Sequence, residues 1–372
     1  MSDIEQPQSD APDPQPTQAR RSRVREGDPL PVIFGVAQTE LHPGERKFFE
    51  ETNPFGFILF KRNCENPDQM RWLVRELRQT VGRADVPVLI DQEGGRVARL
   101  QPPHWPKYPP ARAFGAMYEK DPVLGAEAMQ LFARILANQL ADLGITVNCA
   151  PVLDLFFDGA TAAIGDRAIS RRPAIVAALA RSWAEISMEN GVLPIIKHFP
   201  GHGRMKVDPH DMLPVIEATL AELESEDFVP FELLKDLPLG MTSHAIFTAL
   251  DKEAPASLSA KVHQETIRAH LGFDGLLLSD DITMKALHGT PDDLARRVLE
   301  AGSDVVLHCN GVLPEMQAIA RVLEPMNKES LARWSYAQSM VKPKNPVYKP
   351  VEDMARLDIL LGASAYDLES DS

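Results

Sequence analysis

Val192-Leu193-Pro194-Ile195-Ile196 runs without a break into Lys197-His198-Phe199-Pro200-Gly201-His202-Gly203-Arg204-Met205-Lys206-Val207-Asp208-Pro209-His210-Asp211. The first five residues are apolar and read as a buried strand. The next fifteen hold three histidines, two lysines and two aspartates, broken by Pro200, Gly201, Gly203 and Pro209, so they read as a loop. A polar, Gly/Pro-shaped loop leaving a buried strand is where parallel β/α barrels place their chemistry.

Working outward, the same arrangement recurs. Strands are expected at Pro31 to Val36, Gly56 to Phe60, Val86 to Ile90, Thr146 to Ala150, Val192 to Lys197, Gly240 to Ser243, Gly275 to Leu278 and Asp304 to Leu307. Helical patterns are expected near 43–52, from a cap at Asn66 to about 82, and over 122–143, 173–190, 220–235, 259–270 and 291–301, with a further helix after Pro314. The strand runs lack period-2 alternation, as expected when both faces of a parallel sheet are covered. Eight such units predict an α/β fold, a single-domain (β/α)8 TIM-type barrel over 29–340. An open doubly wound sheet is the alternative, but no G-x-G-x-x-G follows the first strand. Residues 1–28 are rich in Pro, Gln, Asp and Ser with a basic cluster at Arg20 to Arg25, and are expected to be a disordered tail. Residues 341–372 form a Pro-rich, then acidic, C-terminal extension expected to wrap or trail.

Composition narrows the function. The 372 residues carry a formal net charge of −14, which argues against nucleic-acid and anionic-membrane partners. Cys64, Cys149 and Cys309 are odd in number and far apart, which fits a reducing cytoplasm. No apolar run is long enough for a membrane span, and no apolar core follows the N-terminal charges as in a signal peptide.

Polar residues gather where the strands end: Asp91 and Arg99 after the third, Asp154 and Arg167 after the fourth, Lys197 and His198 after the fifth, His244 after the sixth, Asp280 after the seventh. Within Asp91-Gln92-Glu93-Gly94-Gly95-Arg96-Val97-Ala98-Arg99 the Gly pair would let backbone approach a ligand, and carboxylates and guanidinium groups would take sugar hydroxyls. Glu93 and Arg96 read equally well as an ion pair pinning this loop. A metal is not expected: Pro200 and Gly201 separate His198 from His202, and Gly35-Val36-Ala37-Gln38 stands where a metal-dependent barrel hydrolase would carry His-x-His. What remains is Asp208 and His210, two apart, and a separate Asp280. An imidazole oriented by a carboxylate gives and takes protons near neutrality, and a deprotonated aspartate can attack an anomeric carbon, which is the division of labour in a retaining glycosidase. A non-catalytic sugar-binding barrel and a metal-dependent barrel hydrolase are the readings from other classes.

Ile90 to Val97, Ala150-Pro151-Val152-Leu153-Asp154, Ile164-Gly165-Asp166-Arg167, Lys197 to Gly203, Met241-Thr242-Ser243-His244 and Leu278 to Met284 follow one another in the order seen in glycoside hydrolase family 3. The chain resembles the single-domain bacterial β-N-acetylhexosaminidases of that family over about residues 30–325. The resemblance implies a barrel that releases terminal β-linked N-acetylglucosamine from peptidoglycan fragments (muropeptides) during cytoplasmic cell-wall recycling, with no cofactor, as a monomer. It implies Asp280 as nucleophile, His210 as acid/base with Asp208 its partner, and Asp91, Arg99, Arg167, Lys197 and His198 as sugar-binding positions. A phosphorylase on the same scaffold is a close second, because histidine in place of a second carboxylate repels an incoming phosphate less. The family usually carries Asp-Ser-His where this chain has Asp208-Pro209-His210.

Overall fold

The computed structural model describes residues 27–343, 349–362 and 365. The expected N-terminal tail therefore lies almost wholly outside the described residues, as does part of the C-terminal extension. Among the described residues no helix is long and apolar enough to cross a membrane.

The main sheet is parallel throughout and holds β1 (Leu30–Gly35), β2 (Pro54–Leu59), β3 (Val88–Ile90), β4 (Val147–Asn148), β5 (Leu193–Pro194), β6 (Ile196–Phe199), β7 (Leu239–Thr242), β8 (Leu276–Asp281) and β9 (Val305–His308). Each strand pairs with the next in sequence except β5 with β6, and β9 returns to β1. The fifth expected strand is β5 and β6 together, interrupted at Ile195, whose N–H reaches both Asn148 O and Ala150 O. The first half pairs with β4 and the second with β7, and a bridge between Val152 and Lys197 spans the interruption. The sheet is thus a nearly closed barrel, and the open-sheet alternative is excluded.

Helices α1 (Pro43–Thr52), α2 (Pro67–Val81), α3 (Ala111–Lys120), α4 (Pro122–Asp142), α5 (Pro173–Glu189), α6 (Pro291–Ala301), α7 (Leu313–Val322), α8 (Lys328–Ser339) and α9 (Pro350–Leu361) surround it. Asn66 caps α2 as expected, its side chain accepting from the N–H groups of Asp68 and Gln69. Over 220–235 and 259–270 the helical periodicity is right, but Leu223–Asp227 and Val262–His270 wind wider than an α-helix. Three helices, α3, α8 and α9, are absent from the sequence expectation. The first hides behind the prolines of 102–110, and the last is held against α4 by Arg134–Asp353 and Arg356–Glu127 ion pairs.

Two departures at strand ends bear on the site. β8 extends to Asp281 rather than stopping at Leu278, so Asp280 sits on the strand and not in a loop. Ser279, fully buried, accepts from Leu307 N–H through its hydroxyl and carries the pairing with β9 that far. β4 is shorter than expected, because beyond Asn148 the chain turns toward Pro151, which has no N–H to donate to a ladder. Asn148, buried, instead exchanges two hydrogen bonds with the backbone of Gln92, at 3.0 and 2.9 Å, and so ties the segment after β3 to β4. Behind the β6–β7 contact, Phe199 packs against Phe231 and Phe273 at 4.5 and 4.7 Å. Gly240 makes room for them: a Cβ there would lie 2.6 Å from the Phe199 ring.

Replacing Asn148 by alanine strands the buried N–H and C=O of Gln92 together. The expected cost is about 2–3 kcal/mol, read as a lower urea midpoint at unchanged m-value.

Candidate active site

Asp91, Glu93, Arg99, Arg167, Lys197, His198, Asp208, His210 and Asp280 all line one cavity of about 320 Å³ at the C-terminal end of the barrel strands. The catalytic and sugar-binding positions implied by the resemblance are therefore brought to one place, while Asp154 and His244, also expected at the strand ends, lie behind its lining. Phe60, Val97, Met205, Met241, Met284 and Leu307 supply its apolar walls.

The floor is a charge cluster. Lys197 Nζ lies 3.1 Å from Asp91 Oδ1 and 2.7 Å from Glu93 Oε1. Asp91 also takes Arg99 Nη2 at 3.0 Å. Glu93 takes Arg167 in a two-pronged pair at 2.8 and 2.9 Å. Burial by itself would raise the carboxyls, but the adjacent cations outweigh it, holding Asp91 well below the usual carboxylate range and Glu93 at about 2. Burial would likewise lower Lys197, yet its two carboxylate neighbours raise it above an ordinary lysine. Glu93 is thus the joint between Lys197 and Arg167. Arg96 has the other role weighed for it: it pairs with Asp166 and donates to the carbonyls of Ala162, Ala163 and Ile164, clamping the loop that delivers Arg167.

The Gly94-Gly95 bend is real, with φ of 94° and 55°, but its cause differs from the expected one. A Cβ at these positions would meet Pro109 O at 2.4 Å and Pro110 Cβ at 2.7 Å, so the close approach is by the chain's own 109–110 segment and not by a ligand. Gln92 holds the bend from inside, its Oε1 accepting from Arg99 and Leu100 N–H and its Nε2 donating to Leu100 O.

Asp154 is a residue whose importance the sequence shows only through its place after the fourth strand. It is buried, accepts from His202 N–H at 2.8 Å, and meets His198 Nδ1 at 2.6 Å. His198 and His202 stack with centroids 4.2 Å apart and planes 28° from parallel. Burial pushes His198 down to about 3 and His202 well below its ordinary value, so both rings are neutral at pH 7. Ligand atoms of Asp154, His198 and His202 lie within 4.8 Å of one another, close enough to raise a metal. His202 Nε2 lies 3.3 Å from Asp154 Oδ2, and both ring nitrogens of His202 are buried without a hydrogen-bond partner, so among the described residues these three groups form a candidate metal site that the sequence reading did not expect.

Asp208 and His210 sit on the loop after β6. Asp208 Oδ1 accepts both the N–H of His210, at 2.9 Å, and its Nδ1, at 2.8 Å. Asp211 N–H returns to Asp208 O at 2.9 Å, making a tight turn with Pro209 at its second position, where a fixed φ is favoured and no N–H is needed. Pro209 O in turn accepts from Ala286 N–H at 3.1 Å, so the turn is docked on the segment that follows Asp280. The His210 side chain is 71% exposed. Burial alone would raise Asp208; the His210 N–H and ring lower it below the usual range.

Asp280 and Asp281 divide sharply. The Asp281 carboxylate is taken up by the N–H groups of Thr283 and Cys309 and the Thr283 hydroxyl. Asp280 receives only the N–H of Asp281, at 2.8 Å, and among the described residues has no cation paired to it.

Residues 37–339 match the glycosyl hydrolase family 3 N-terminal domain. The chain is 35% identical to a β-hexosaminidase of Bordetella avium over 286 residues, covering 76% of this chain and 81% of that one. It is 33% identical to a β-hexosaminidase of Aromatoleum aromaticum over 339 residues, covering 89% and 94%. Among solved structures it is similar to NagZ from Neisseria gonorrhoeae in complex with N-trifluoroacetyl-D-glucosamine, with a TM-score of 0.79, 29% identity, and coverage of 90% of this chain and 98% of that one.

The depressed histidines carry a sign for stability. His198 at about 3 and His263 at about 4, both lowered by burial, stay neutral in the folded chain while their unfolded counterparts take up protons below about pH 6.5. Stability is therefore lost as pH falls from about 6.5, and Glu93 adds to the loss below about pH 4.5. Asp227, raised to about 7 mainly by burial, opposes this with a gain over the same interval, but it is one group against two histidines, with His202 acting in their sense. Melting temperature recorded from pH 7 to pH 4 should fall; a flat or rising profile would contradict the neutral-histidine assignment.

Proposed function

The chain belongs to glycoside hydrolase family 3 and is a glycoside hydrolase of the β-N-acetylglucosaminidase type, and on that premise we propose that it is a retaining exo-enzyme acting on muropeptides by double displacement. The observation that carries the mechanism is the unpaired state of Asp280 beside committed neighbours. Asp91 and Glu93 are neutralised by cations, and Asp281 is filled by protein donors. Asp280 is left with a carboxylate oxygen free to form a bond.

In this reading the non-reducing N-acetylglucosamine places its ring hydroxyls on Asp91, Arg99, Arg167, Lys197 and His198. Asp280 attacks the anomeric carbon while the glycosidic oxygen leaves with a proton from His210. With Nδ1 turned to Asp208, Nε2 is the atom that exchanges the proton. Asp208 orients the ring and supports its charged form. The glycosyl-Asp280 ester is then opened by water, whose proton goes to His210, and the sugar departs with its configuration retained. No step asks for a metal or cofactor. The acidic chain and its free thiols support work in the cytoplasm, and the likeness to a NagZ solved with N-trifluoroacetyl-D-glucosamine supports a substrate ending in N-acetylglucosamine; action on cell-wall fragments as a monomer is part of the same proposal.

Asp280→Ala should nearly abolish release of an aryl β-N-acetylglucosaminide's phenol, and a slow 5-fluoro glycoside should label Asp280, seen by mass spectrometry of its peptide. His210→Gln should cost about 10²–10⁴-fold on a poor leaving group and far less on a dinitrophenyl one, because only the former needs the acid. Normal turnover by Asp280→Ala would sink the assignment. A sugar 1-phosphate formed when phosphate is added would replace hydrolysis by the phosphorylase reading.

A further inference from the structure

His244 does not line the cavity, yet it is 1% exposed and bonded at both ring nitrogens. Its Nε2 lies 3.0 Å from the main-chain oxygen of Asp281, and its Nδ1 lies 2.7 Å from Ser257 Oγ. A carbonyl oxygen only accepts, so Nε2 carries a hydrogen. A neutral ring then has Nδ1 as acceptor, and the Ser257 hydroxyl donates to it. Ser257 is fully buried and cannot turn to solvent; its own N–H is bonded to Ser243 O at 3.1 Å. The Asp281 carbonyl thus sets the ring's tautomer, and the Ser257 hydroxyl holds the ring's far side from outside the cavity.

What His244 grips is the residue that grips Asp280. The N–H of Asp281 donates to Asp280 Oδ1, the carboxylate of Asp281 is fastened to Cys309 N–H and to Thr283, and its carbonyl is fastened to His244. The N–H of Ile282 is held by Leu307 O at 3.0 Å. Of these holds on Asp281, the one to His244 reaches across from the loop after β7 to the end of β8. We propose that His244, held in place by Ser257, is a positioning residue for the nucleophile: it fixes Asp281 so that the Asp281 N–H orients the Asp280 carboxylate and directs its other oxygen at the anomeric carbon. This deepens the reading of Asp280 as nucleophile and rests on it.

Misplacing a nucleophile slows both formation and opening of the glycosyl-enzyme, whatever the leaving group, whereas damage to the acid/base shows up chiefly with poor leaving groups. His244→Phe keeps the ring's bulk without its N–H; His244→Gln returns an N–H near the Nε2 position; Ser257→Ala removes the hydroxyl that holds Nδ1 and leaves the ring fastened at Nε2 alone. In the full chain, His244→Phe should lower kcat and the inactivation rate constant of the 5-fluoro glycoside together by about a hundredfold, equally for phenyl and dinitrophenyl substrates, with KM little changed. His244→Gln should recover most of that loss, and Ser257→Ala should lower the inactivation rate several-fold. Circular dichroism and melting temperature establish which variants fold. Should His244→Phe not fold, His244→Gln and Ser257→Ala decide.

Inactivation rates unchanged in the folded variants, a His244→Gln no better than His244→Phe, or a loss that depends on leaving group would each overturn the proposal. Labelling of a carboxylate other than Asp280 in the unaltered protein would instead overturn the mechanism on which it rests, so the two failures are separable.

Discussion

Lys197 is the constraint on which the rest of the site depends. Its ammonium is buried where it leaves β6, on which Lys197 itself lies, between the carboxylates of Asp91 and Glu93, and each of those is held again by an arginine. Taking such charges out of water costs several kcal/mol per ion, and only close, well-aligned partners offset it. The cluster therefore exists in one arrangement. Because its members come from β6 itself and from the segments after β3 and β4, that arrangement sets where these strands' ends lie relative to one another. Arg96 and Gln92 work behind it, clamping the two loops that deliver Arg167 and Arg99.

Around this rigid floor the carboxylates sort into two kinds. Those whose oxygens are filled by cations or main-chain N–H groups, Asp91, Glu93, Asp154 and Asp281, hold shape. Asp280 and the Asp208–His210 pair keep capacity for chemistry, and they are mounted differently. Asp280, the proposed nucleophile, stands on a strand within the main sheet, where position is best kept. His210, the proposed acid/base, stands on an exposed turn open to leaving group and water. Pro209 belongs to that turn without strain, and its carbonyl links the two halves of the chemistry through Ala286.

Much of this is legible in the residues. Apolar runs without alternation, each followed by a helix pattern, specify covered parallel strands, and eight of them leave a barrel as the simplest closure. Polar residues just beyond the runs mark the face where they converge. Elements whose identity depends on neighbours were not legible. The helix α3 follows a run of prolines, α8 and α9 find their apolar faces only against other elements, and β5 and β6 part at Ile195, a kink that no local pattern announces. The expected end of β8 fell short because Ser279 and Asp280 are polar, and polarity reads as loop unless a buried hydroxyl is known to continue the ladder.

By itself the amino-acid sequence determined the barrel, the side-chain types at its mouth and the family, because burial periodicity and short motifs are local properties. Only the tertiary structure decided which charges neutralise which, because ion pairs join residues far apart along the chain, as Lys197 and Asp91 are. The family resemblance singles out Asp280 over Asp281, but only the tertiary structure shows the physical difference between these adjacent aspartates, because Cys309 and Thr283 fill the carboxylate of Asp281.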